Sequence, residues 1–379
     1  MAVSIQKKDL LEAMQKAFPV IPSKSSLAIL SNFKLSYDNG EFEVAATDAD
    51  HYLRVTVKAQ GSTALNVTVN AKKIFEIVRE LPEGGVTLDL DGTVLLLESE
   101  KGFSCKIAGA DINDFPGVPE IGGGAEFDIH SSTFHELVRK SSFAVSRDES
   151  RAALCGILWE VDSDKTGMVA TDGHRLGSSF VNTPFPVTES ISKIISQKSV
   201  SALVRITDSK NQDDVVRVTI GEKYISFNTD SFSMVSRLVE GQYPDYTKVI
   251  PRNNPKIIEA DRLSMLEAIR RVSVLSSNKN HLVRLVFKSG VMDAIVKNID
   301  IGGEARESVT VDYSGDEHIV GFNGMYFTDI LDIVKTQKVR LEMNTQISAC
   351  LVFPVYTDEK EKKSDDLFLI MPLRIMDEV

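Results

Sequence analysis

Apolar residues recur at helical spacing in three segments of similar wording. They are KKDLLEAMQKAF at 7–18, SSTFHELVRKSS at 131–142 and DRLSMLEAIRRVS at 261–273. Each segment follows a short alternating stretch, VSI, FDI or KII, which is typical of a strand. The pattern therefore predicts that a strand and an amphipathic helix open each third of the chain.

A second set of helix-like segments follows in the same order, together with several hairpins. The segments are NAKKIFEIVREL at 70–81, TESISKIISQK at 188–198 and NGMYFTDILDIVK at 323–335. Alternating runs flank short turns in FKLSY–DNG–EFEVAA and VTLDL–DG–TVLLLES. These runs predict hairpins that turn at Asn39-Gly40 and at Asp91-Gly92.

Other words recur at a nearly constant shift. AATDADHYL at 45–53 is echoed by VATDGHRL at 169–176, so Thr47 and Thr171 differ by 124 positions. DFPGVPEI at 114–121 is echoed in the same way by QYPDYTKVIP at 242–251. Copies of this length have the size of domains rather than of solenoid repeats. We expect an α+β protein of three tandem homologous domains, with boundaries at 1–124, 125–252 and 253–379.

The composition is typical of a soluble globular protein, with 42% hydrophobic and 26% charged residues. The N-terminal stretch MAVSIQKKDLLEAM lacks the apolar core of a signal peptide, and LFLIMPL at 367–373 is too short to span a bilayer. Cys105, Cys155 and Cys350 lie far apart, which argues against a disulfide framework or a structural zinc site. We expect a cytoplasmic protein without a membrane segment, a metal or a cofactor.

The formal net charge of −11 argues against a protein that coats nucleic acid through a generally basic surface. Basic residues nevertheless recur on the predicted helices of all three thirds, whereas acidic residues crowd loops and strands. Each lysine taken alone fits an ordinary solvated helix face. A ring lined with such helices would instead contact the phosphates of a polyanion without reading its bases. The recurring residues include Lys72, Lys73, Arg79, Arg139, Lys140, Lys198, Arg270 and Arg271.

VATDGHRL concentrates Asp172, His174 and Arg175, residue types that also occur in hydrolase active sites. A catalytic pair needs a nucleophile or a metal and a positioned base, and neither an HExxH nor a GxSxG word accompanies this stretch. The repeat instead predicts that Asp48 and Asp172 accept hydrogen bonds from nearby backbone at a strand end. A hydrolase that uses Asp172 and His174 stays open as an alternative, as does a repeat-built scaffold or regulator that does not encircle DNA.

The whole chain resembles the bacterial β sliding clamp family, the processivity subunits of DNA polymerase III. The resemblance is carried by five words in the order that the family has them. They are SKSSLAILSNF (23–33), VATDGHRL (169–176), RLVEGQYPDYTKVIP (237–251), GFNGMYFTDIL (321–331) and LIMPLRI (369–375). The family is not an enzyme family, so the resemblance implies a non-catalytic clamp.

The resemblance implies a head-to-tail homodimer that forms a ring, with helices lining a central hole and antiparallel sheets outside. Such a ring encircles duplex DNA independently of sequence and is expected to be nucleoid-associated. The resemblance implies that an ATP-driven clamp loader threads the ring onto the DNA and that the ring tethers the replicative polymerase α subunit. Other polymerases and repair proteins bind it through short linear motifs.

Three sets of site residues follow from the resemblance, and the roles of the 357–366 loop and the Met376–Val379 tail stay open. The peptide-binding groove is expected to comprise Leu154, Thr171, Gly173, His174, Arg175, Leu176, Pro244, Val249, Asn323, Tyr326, Leu369, Met371, Pro372, Leu373 and Arg374. Lys24, Arg147 and Arg151 join the helix residues, Lys198 among them, as expected DNA contacts. The dimer interface is expected to join Cys105 and Ile107 of the first domain to Val274 and Leu275 of the third.

Overall fold

The computed structural model describes residues 2–208, 210–211, 214–299 and 301–375. The Met376–Val379 tail therefore lies outside the described residues. The chain forms two compact units, residues 1–135 with 198–238 and residues 136–197 with 239–379. We call them the first unit and the second unit. No helix within the described part is long and apolar enough to cross a membrane.

Each third of the chain contributes eight strands and two helices to the described residues. The strands of the first third are β1 Val3–Gln6, β2 Asn32–Asp38, β3 Glu41–Thr47, β4 His51–Lys58, β5 Leu65–Asn70, β6 Gly85–Asp91, β7 Val94–Ser99 and β8 Ser104–Ala110. Those of the middle third are β9 Ala125–His130, β10 Gly156–Val161, β11 Thr166–Thr171, β12 Arg175–Val181, β13 Ile191–Ser196, β14 Val215–Ile220, β15 Tyr224–Asn228 and β16 Phe232–Arg237. Those of the last third are β17 Lys256–Asp261, β18 Leu282–Lys288, β19 Val291–Asn298, β20 Gly303–Asp312, β21 His318–Asn323, β22 Lys338–Met343, β23 Cys350–Val355 and β24 Asp365–Ile370.

Each unit contains one twelve-stranded antiparallel sheet. In the first unit the strand order is β1-β6-β7-β8-β5-β2-β3-β4-β16-β15-β14-β9. In the second unit it is β13-β10-β11-β12-β24-β23-β22-β17-β20-β19-β18-β21. The eight strands of the first or last third thus continue into four strands of the middle third. The continuation is the β4·β16 pair in the first unit and the β12·β24 pair in the second.

The helices occupy equivalent places in the three thirds. They are α1 Lys7–Ala17, α2 Ala71–Glu80, α3 Ser131–Ser141, α4 Gln197–Ile206, α5 Arg262–Ser273 and α6 Gly324–Ile333. Helix α5 buries Met265, Leu266 and Ile269, at the i, i+1, i+4 positions of one apolar face, in the core of the second unit. The prediction of α1, α2, α3, α5 and α6 from periodicity is confirmed.

The second helix of the middle third is misplaced in the sequence prediction. Residues 188–198 were expected to be helical, but β13 occupies Ile191–Ser196 and α4 begins at Gln197. The β-branched residues Ile191, Ile194 and Ile195 pair along β10, where they fit a pleated sheet. The correction makes the repeat more regular, because a strand now precedes the second helix in every third.

Both predicted hairpins are present, with one shift of register. Asp38 faces Glu41, so Asn39 and Gly40 form the turn, with φ values of 48° and 88°. Positive φ at both positions is what a two-residue type I′ turn requires. In the second hairpin Asp91 itself pairs with Val94, so the turn residues are Gly92 and Thr93 rather than Asp91 and Gly92.

Candidate functional site

The turn between β11 and β12 is built by side chains that bind its own backbone. Asp172 Oδ1 accepts the N–H groups of His174 at 2.8 Å and Arg175 at 3.0 Å. Thr171 Oγ1 accepts the N–H of Gly173 at 3.1 Å and donates to the carbonyl of Arg175 at 2.7 Å. Gly173 has φ of 91°, a conformation that glycine adopts without strain. The structural role predicted for Asp172 is confirmed.

The first unit contains the same turn between β3 and β4. Asp48 Oδ1 accepts the N–H groups of Asp50 at 3.1 Å and His51 at 2.8 Å, and Thr47 Oγ1 accepts that of Ala49 at 3.0 Å. Ala49 has φ of 81°, at the position equivalent to Gly173. The structural role predicted for Asp48 is confirmed as well, and the Thr-Asp word encodes a backbone conformation.

Arg175 extends the second-unit turn towards the last third of the chain. Its Nε donates to Asp172 Oδ2 at 3.1 Å and its Nη1 to Asp329 Oδ2 on α6 at 2.5 Å. The guanidinium carbon lies 4.2 Å from the centre of the Tyr326 ring and 5.4 Å from that of Phe143. These contacts hold the arginine with only 12% of its side chain exposed. Two carboxylates and two aromatic rings thus hold the positive charge of Arg175 in a fixed position next to the turn.

His174 takes no part in a catalytic pair with Asp172. The carboxylate of Asp172 binds the backbone of His174, and the exposed imidazole ring faces Tyr326 with centroids 6.5 Å apart. The hydrolase alternative therefore lacks the base–orienter contact that it needs.

An apolar cluster lies beside this turn, on the sheet face opposite the helix core of the second unit. Leu369 belongs to this cluster, whereas its neighbours Phe368 and Ile370 belong to the helix core. The cluster brings together three predicted groove residues, Leu154, Leu176 and Leu369, all of which are buried. Val249, in a short 3₁₀ turn, and Met371 are 54% and 36% exposed. The other members include Leu158, Val169, Tyr243, Ala349 and Leu351.

The segment after β24 is bound to the same turn by its backbone. The N–H of Met371 donates to the carbonyl of His174, and that of Leu373 donates to the carbonyl of Gly321, both at 2.7 Å. Met371 and Arg374 are exposed, whereas Pro372 and Leu373 are partly buried. Asn323, another predicted groove residue, caps α6 by accepting the N–H groups of Met325 and Tyr326. Pro244 is exposed and follows the buried Tyr243.

Sequence reasoning missed several residues that support the site. Tyr243 accepts the N–H of Thr171 through its hydroxyl at 3.0 Å, and its burial raises the pKa of that hydroxyl above the usual range. Tyr246 donates to Glu160 at 2.8 Å. The two tyrosines lie in the YPDY word already compared with DFPG, so the repeat carried a signal for them. Phe143 and Asp329 carry no comparable signal.

Lys140 requires a correction among the expected DNA contacts. Its ammonium group is buried and donates to Ser364 Oγ at 2.7 Å and to Asp366 Oδ2 at 2.8 Å. Asp366 Oδ1 also accepts from Ser179 at 2.7 Å. A buried charge that is paired and hydrogen-bonded in this way cannot reach a phosphate. The charged 357–366 loop thus ends on a buried carboxylate that neutralises Lys140.

The other expected DNA contacts differ in their exposure and pairing. Eight are exposed, namely Lys24, Lys72, Lys73, Arg79, Arg147, Arg151, Arg270 and Arg271. Among the described residues no ion pair is found for Lys24, Lys72 or Arg147. The other five each lie beside an acidic side chain. Arg139 is partly buried against Glu136, and Lys198 donates to Asp48 at 2.5 Å.

The residues expected at the dimer interface belong to different units, two to each. Cys105 and Ile107 are partly exposed on β8 in the first unit, and burial raises the pKa of the Cys105 thiol. In the second unit Val274 is 82% exposed at the end of α5, and Leu275 is partly buried. Ile299 and Ile301, which sequence reasoning missed, are 75% and 63% exposed after β19.

Comparison with known proteins gives one consistent result. Family descriptions of the DNA polymerase III beta subunit match most of the chain in order: the N-terminal domain at 1–119, the central domain at 128–245 and the C-terminal domain at 247–372. The beta sliding clamps of Pseudomonas aeruginosa and Escherichia coli (strain K12) are each 30% identical, over 99% of this chain and all of the relative.

Solved structures agree with the sequence relatives. A sliding clamp from Pseudomonas aeruginosa bound to griselimycin superimposes with a TM-score of 0.92 at 30% identity, over 99% of this chain and all of that chain. The DNA polymerase III beta subunit of Thermotoga maritima does so with a TM-score of 0.90 at 26% identity, over the same shares. The chain belongs to the bacterial β sliding clamp family, the DNA polymerase III beta subunits that serve as non-catalytic processivity clamps on DNA.

Proposed function

We propose that two copies of this chain close head to tail into a ring around duplex DNA, with domains at 1–124, 125–252 and 253–379. The groove around Thr171–Leu176 then receives short linear motifs from the replicative polymerase α subunit, the clamp loader, other polymerases and repair proteins. The protein acts in the cytoplasm, on the nucleoid. The observation that carries the ring is a pair of complementary sheet edges.

The two edges are identified by the pairing inside the chain. Strands β16 and β24 each pair with the last strand of a neighbouring hairpin, β4 and β12 respectively. By the repeat, β8 is the equivalent of β16 and β24, and β20 is the equivalent of β4 and β12. Residues 104–108 of β8 pair with β7 alone, and residues 303–310 of β20 pair with β19 alone, within the described part of the chain. An open edge of this kind is a template for pairing with another chain.

The register of the inferred contact follows from the two existing junctions. Tyr52 faces Val235 in the first unit, and Leu176 faces Leu369 in the second. We counted residues along the paired strands from the start of each helix. By this count Glu304 of β20 is the equivalent of Tyr52 and Leu176, and Lys106 of β8 is the equivalent of Val235 and Leu369. Both side chains are exposed, and opposite charges directly across an antiparallel pair are favourable.

The same register matches the apolar residues around the edges. It sets Cys105 opposite Ala305 and Ile107 opposite Gly303, on the other face of the sheet from Lys106. A Cβ atom at Gly303 would lie 3.6 Å from side-chain atoms of both Leu275 and Ile301, so Ile107 would meet these two residues. The exposed Val274 and Ile299 extend this surface, which supports burial against a second copy.

The DNA contact is proposed for exposed basic residues on helices and loops. Lys24, Lys72 and Arg147 are the strongest candidates, because each is exposed without an ion-pair partner among the described residues. Lys73, Arg79, Arg151, Arg270 and Arg271 can exchange a carboxylate for a phosphate. Contacts of this type give salt-dependent, sequence-independent binding.

The groove combines a buried leucine floor with exposed apolar rims and the fixed cation of Arg175. Leu176 and Leu369 offer a pocket for leucine or phenylalanine anchors, and Met371 at the rim can adapt to different partners. Arg175 and the exposed His174 can orient polar groups of the peptide.

The ring is tested by locking it through the inferred register. In a Cys155→Ser background, the Ala305→Cys variant should form a disulfide with Cys105 of a second copy under oxidation, which yields a covalent dimer. When this variant is first loaded onto circular DNA by the clamp loader with ATP and is oxidised only afterwards, the locked ring should stay bound in high salt and leave only when the DNA is linearised. The measurement is gel filtration of the DNA before and after restriction cleavage.

The matched control is Glu304→Cys, whose side chain lies on the opposite face of the strand and should not crosslink with Cys105. Equal crosslinking in both variants would contradict the register. Equal retention on circular and linear DNA would contradict the encircling ring.

The groove is tested by shortening the chain. Removal of residues from Met371 onward should abolish binding of polymerase-derived peptides in fluorescence anisotropy while the dimer remains intact, because Met371 and Leu373 are bound to the groove by their backbone. Removal of Met376–Val379 alone is the control and should leave affinity unchanged. Unchanged affinity in the longer truncation would place the peptide site elsewhere.

A further inference from the structure

A second pocket lies in the first unit, at the position that the repeat makes equivalent to the groove. It has a volume of about 250 Å³ and is lined on one sheet face by Ala45, Tyr52 and Val235. Phe115 and Pro116 close one side, and Val118 next to them is 61% exposed. We call this cavity the first-unit pocket.

The equivalence rests on strand register rather than on shape. Tyr52 faces Val235 as Leu176 faces Leu369, and each pair follows a Thr-Asp turn with the same hydrogen bonds. Ala45 is the counterpart of Val169 at the shift of 124 positions. The DFPG word supplies Phe115 and Pro116 where YPDY supplies Tyr243 and Pro244. An apolar floor between a hairpin and a proline-containing segment is thus present in both units.

The first-unit pocket differs from the groove in its charge. Lys34 and Arg54 line it where the groove has Leu158 and Ser178. Glu43 lies 3.6 Å from Arg54 and balances that cation, whereas no ion pair of Lys34 is found in the described part of the chain. The pocket therefore carries one uncompensated positive charge next to aromatic and aliphatic surface. Its volume is below the roughly 300–1,000 Å³ of a site for a drug-sized molecule, so it suits one large side chain.

We propose that the first-unit pocket is a second peptide-docking site, which takes one aromatic or leucine side chain of an extended segment that carries an aspartate or glutamate beside it. The apolar side chain packs between Tyr52, Val235 and Phe115, and the neighbouring carboxylate binds Lys34. The inference rests on the proposed peptide binding by the groove, because the repeat places an equivalent apolar surface in the first unit. Docking is weaker than in the groove, since Ser233 and Ser226 replace Leu367 and Leu351.

The test uses photo-crosslinking, which reports each site separately. The probe is the peptide acetyl-Gly-Ser-Asp-Bpa-Gly-Ser-amide, in which Bpa is benzoylphenylalanine, and the crosslinked fragments are identified by mass spectrometry. The full-length chain should crosslink both around Tyr52 and Val118 and around Leu176 and Leu369. A probe with lysine in place of aspartate should lose about tenfold of its crosslinking at the first-unit pocket, because it meets Lys34 with a like charge.

Two different substitutions disrupt the first-unit pocket without touching the groove, so the test does not depend on a single variant. Ala45→Phe fills the first-unit pocket, and Lys34→Glu reverses its charge while leaving its volume. Each should reduce crosslinking there by about tenfold and leave crosslinking in the groove unchanged. The chain truncated from Met371 onward should instead lose crosslinking in the groove and keep crosslinking at the first-unit pocket.

The outcomes distinguish this inference from the proposed function. Crosslinks confined to the groove, unaffected by Ala45→Phe and Lys34→Glu, would overturn the second site and leave the proposed groove in place. Crosslinks at the first-unit pocket alone would support it and overturn the proposed groove. The absence of crosslinks at both would overturn both.

Discussion

The turns at Thr47–His51 and Thr171–Arg175 share a backbone and differ in what they are connected to. In each, a threonine and an aspartate accept three backbone N–H groups around a residue of positive φ. The fifth residue binds the aspartate carboxylate in both, through the His51 ring at 3.0 Å and the Arg175 guanidinium at 3.1 Å.

The difference lies in the length of that fifth side chain. The His51 ring contacts Asp48 at 3.0 Å, and another partner of Asp48 is Lys198 at 2.5 Å. Arg175 is long enough to reach beyond Asp172 to Asp329 and Tyr326. The first turn is therefore joined to α4 through a lysine that α4 supplies, whereas the second turn is joined to α6 through its own arginine. The repeated word thus encodes the same backbone turn in both units, and one exchanged side chain changes what the turn contacts.

The largest effect is expected when the shared aspartate is removed. Asp48→Ala and Asp172→Ala each leave two backbone N–H groups and a cation without their carboxylate, which should cost roughly 3 kcal/mol of unfolding free energy. Urea denaturation measures it. Only Asp172→Ala should also weaken peptide binding to the groove. Equal loss of peptide affinity in both variants would show that the two turns are not functionally distinct.

A smaller effect is expected from acid. Burial acts to raise the pKa of Asp48, but hydrogen bonds and charges from His51 and Lys198 outweigh it and hold that pKa well below the ordinary value of 3.8. A lowered folded-state pKa means that the carboxylate stabilises the fold fully above the ordinary value and loses this contribution as the pH falls from there towards the lowered pKa.

Asp48→Asn should therefore flatten the dependence of unfolding free energy on pH below about 4, the range in which an unfolded aspartate titrates. Chemical denaturation at several pH values measures the slope. Asp50→Asn, at an exposed aspartate of the same turn, is the matched control. A slope unchanged by Asp48→Asn would mean that Asp48 is not the group that links this turn to pH.

The smallest effect is expected at the residue of positive φ. Gly173→Ala should destabilise the second-unit turn by about 1 kcal/mol, because an L side chain is strained there. Its added Cβ would meet only the end of the flexible Arg151 side chain, at 3.2 Å. Ala49→Gly should act in the opposite direction by at most about 1 kcal/mol, since it relieves strain but frees the unfolded chain. Thermal denaturation of both variants measures whether the two changes in unfolding free energy have opposite signs. Destabilisation by both would contradict the equivalence of Ala49 and Gly173.

Several elements could be predicted because their determinants are local. Helices α1, α3 and α5 follow from apolar periodicity, and the Asn39-Gly40 turn follows from the φ values that these residues tolerate. Helix α4 was misplaced because ISKIIS has apolar residues at spacings that fit both a strand and a helix. Pairing with β10, more than thirty residues earlier in the chain, decides for the strand.

The residues of the candidate site also divide into those that the sequence could predict and those that it could not. The family resemblance predicted a set of groove residues, and the structure brings three of them, Leu154, Leu176 and Leu369, into one apolar cluster. The repeat was sufficient to assign Asp48 and Asp172 to the backbone. Sequence could not distinguish Lys140 from the other helix lysines, because its partner Asp366 is 226 positions away.

The sequence by itself determined the threefold repeat, the family and the conformation of each turn, since these depend on neighbours within a few residues or on whole-chain similarity. Only the tertiary structure decided which charged side chains are paired inside the protein, which strand edges stay unpaired and which aromatic residues surround Arg175. Those outcomes depend on residues far apart in the chain. The contact of Arg175 with Asp329 spans 154 positions, and its strength depends on a burial that no local pattern encodes.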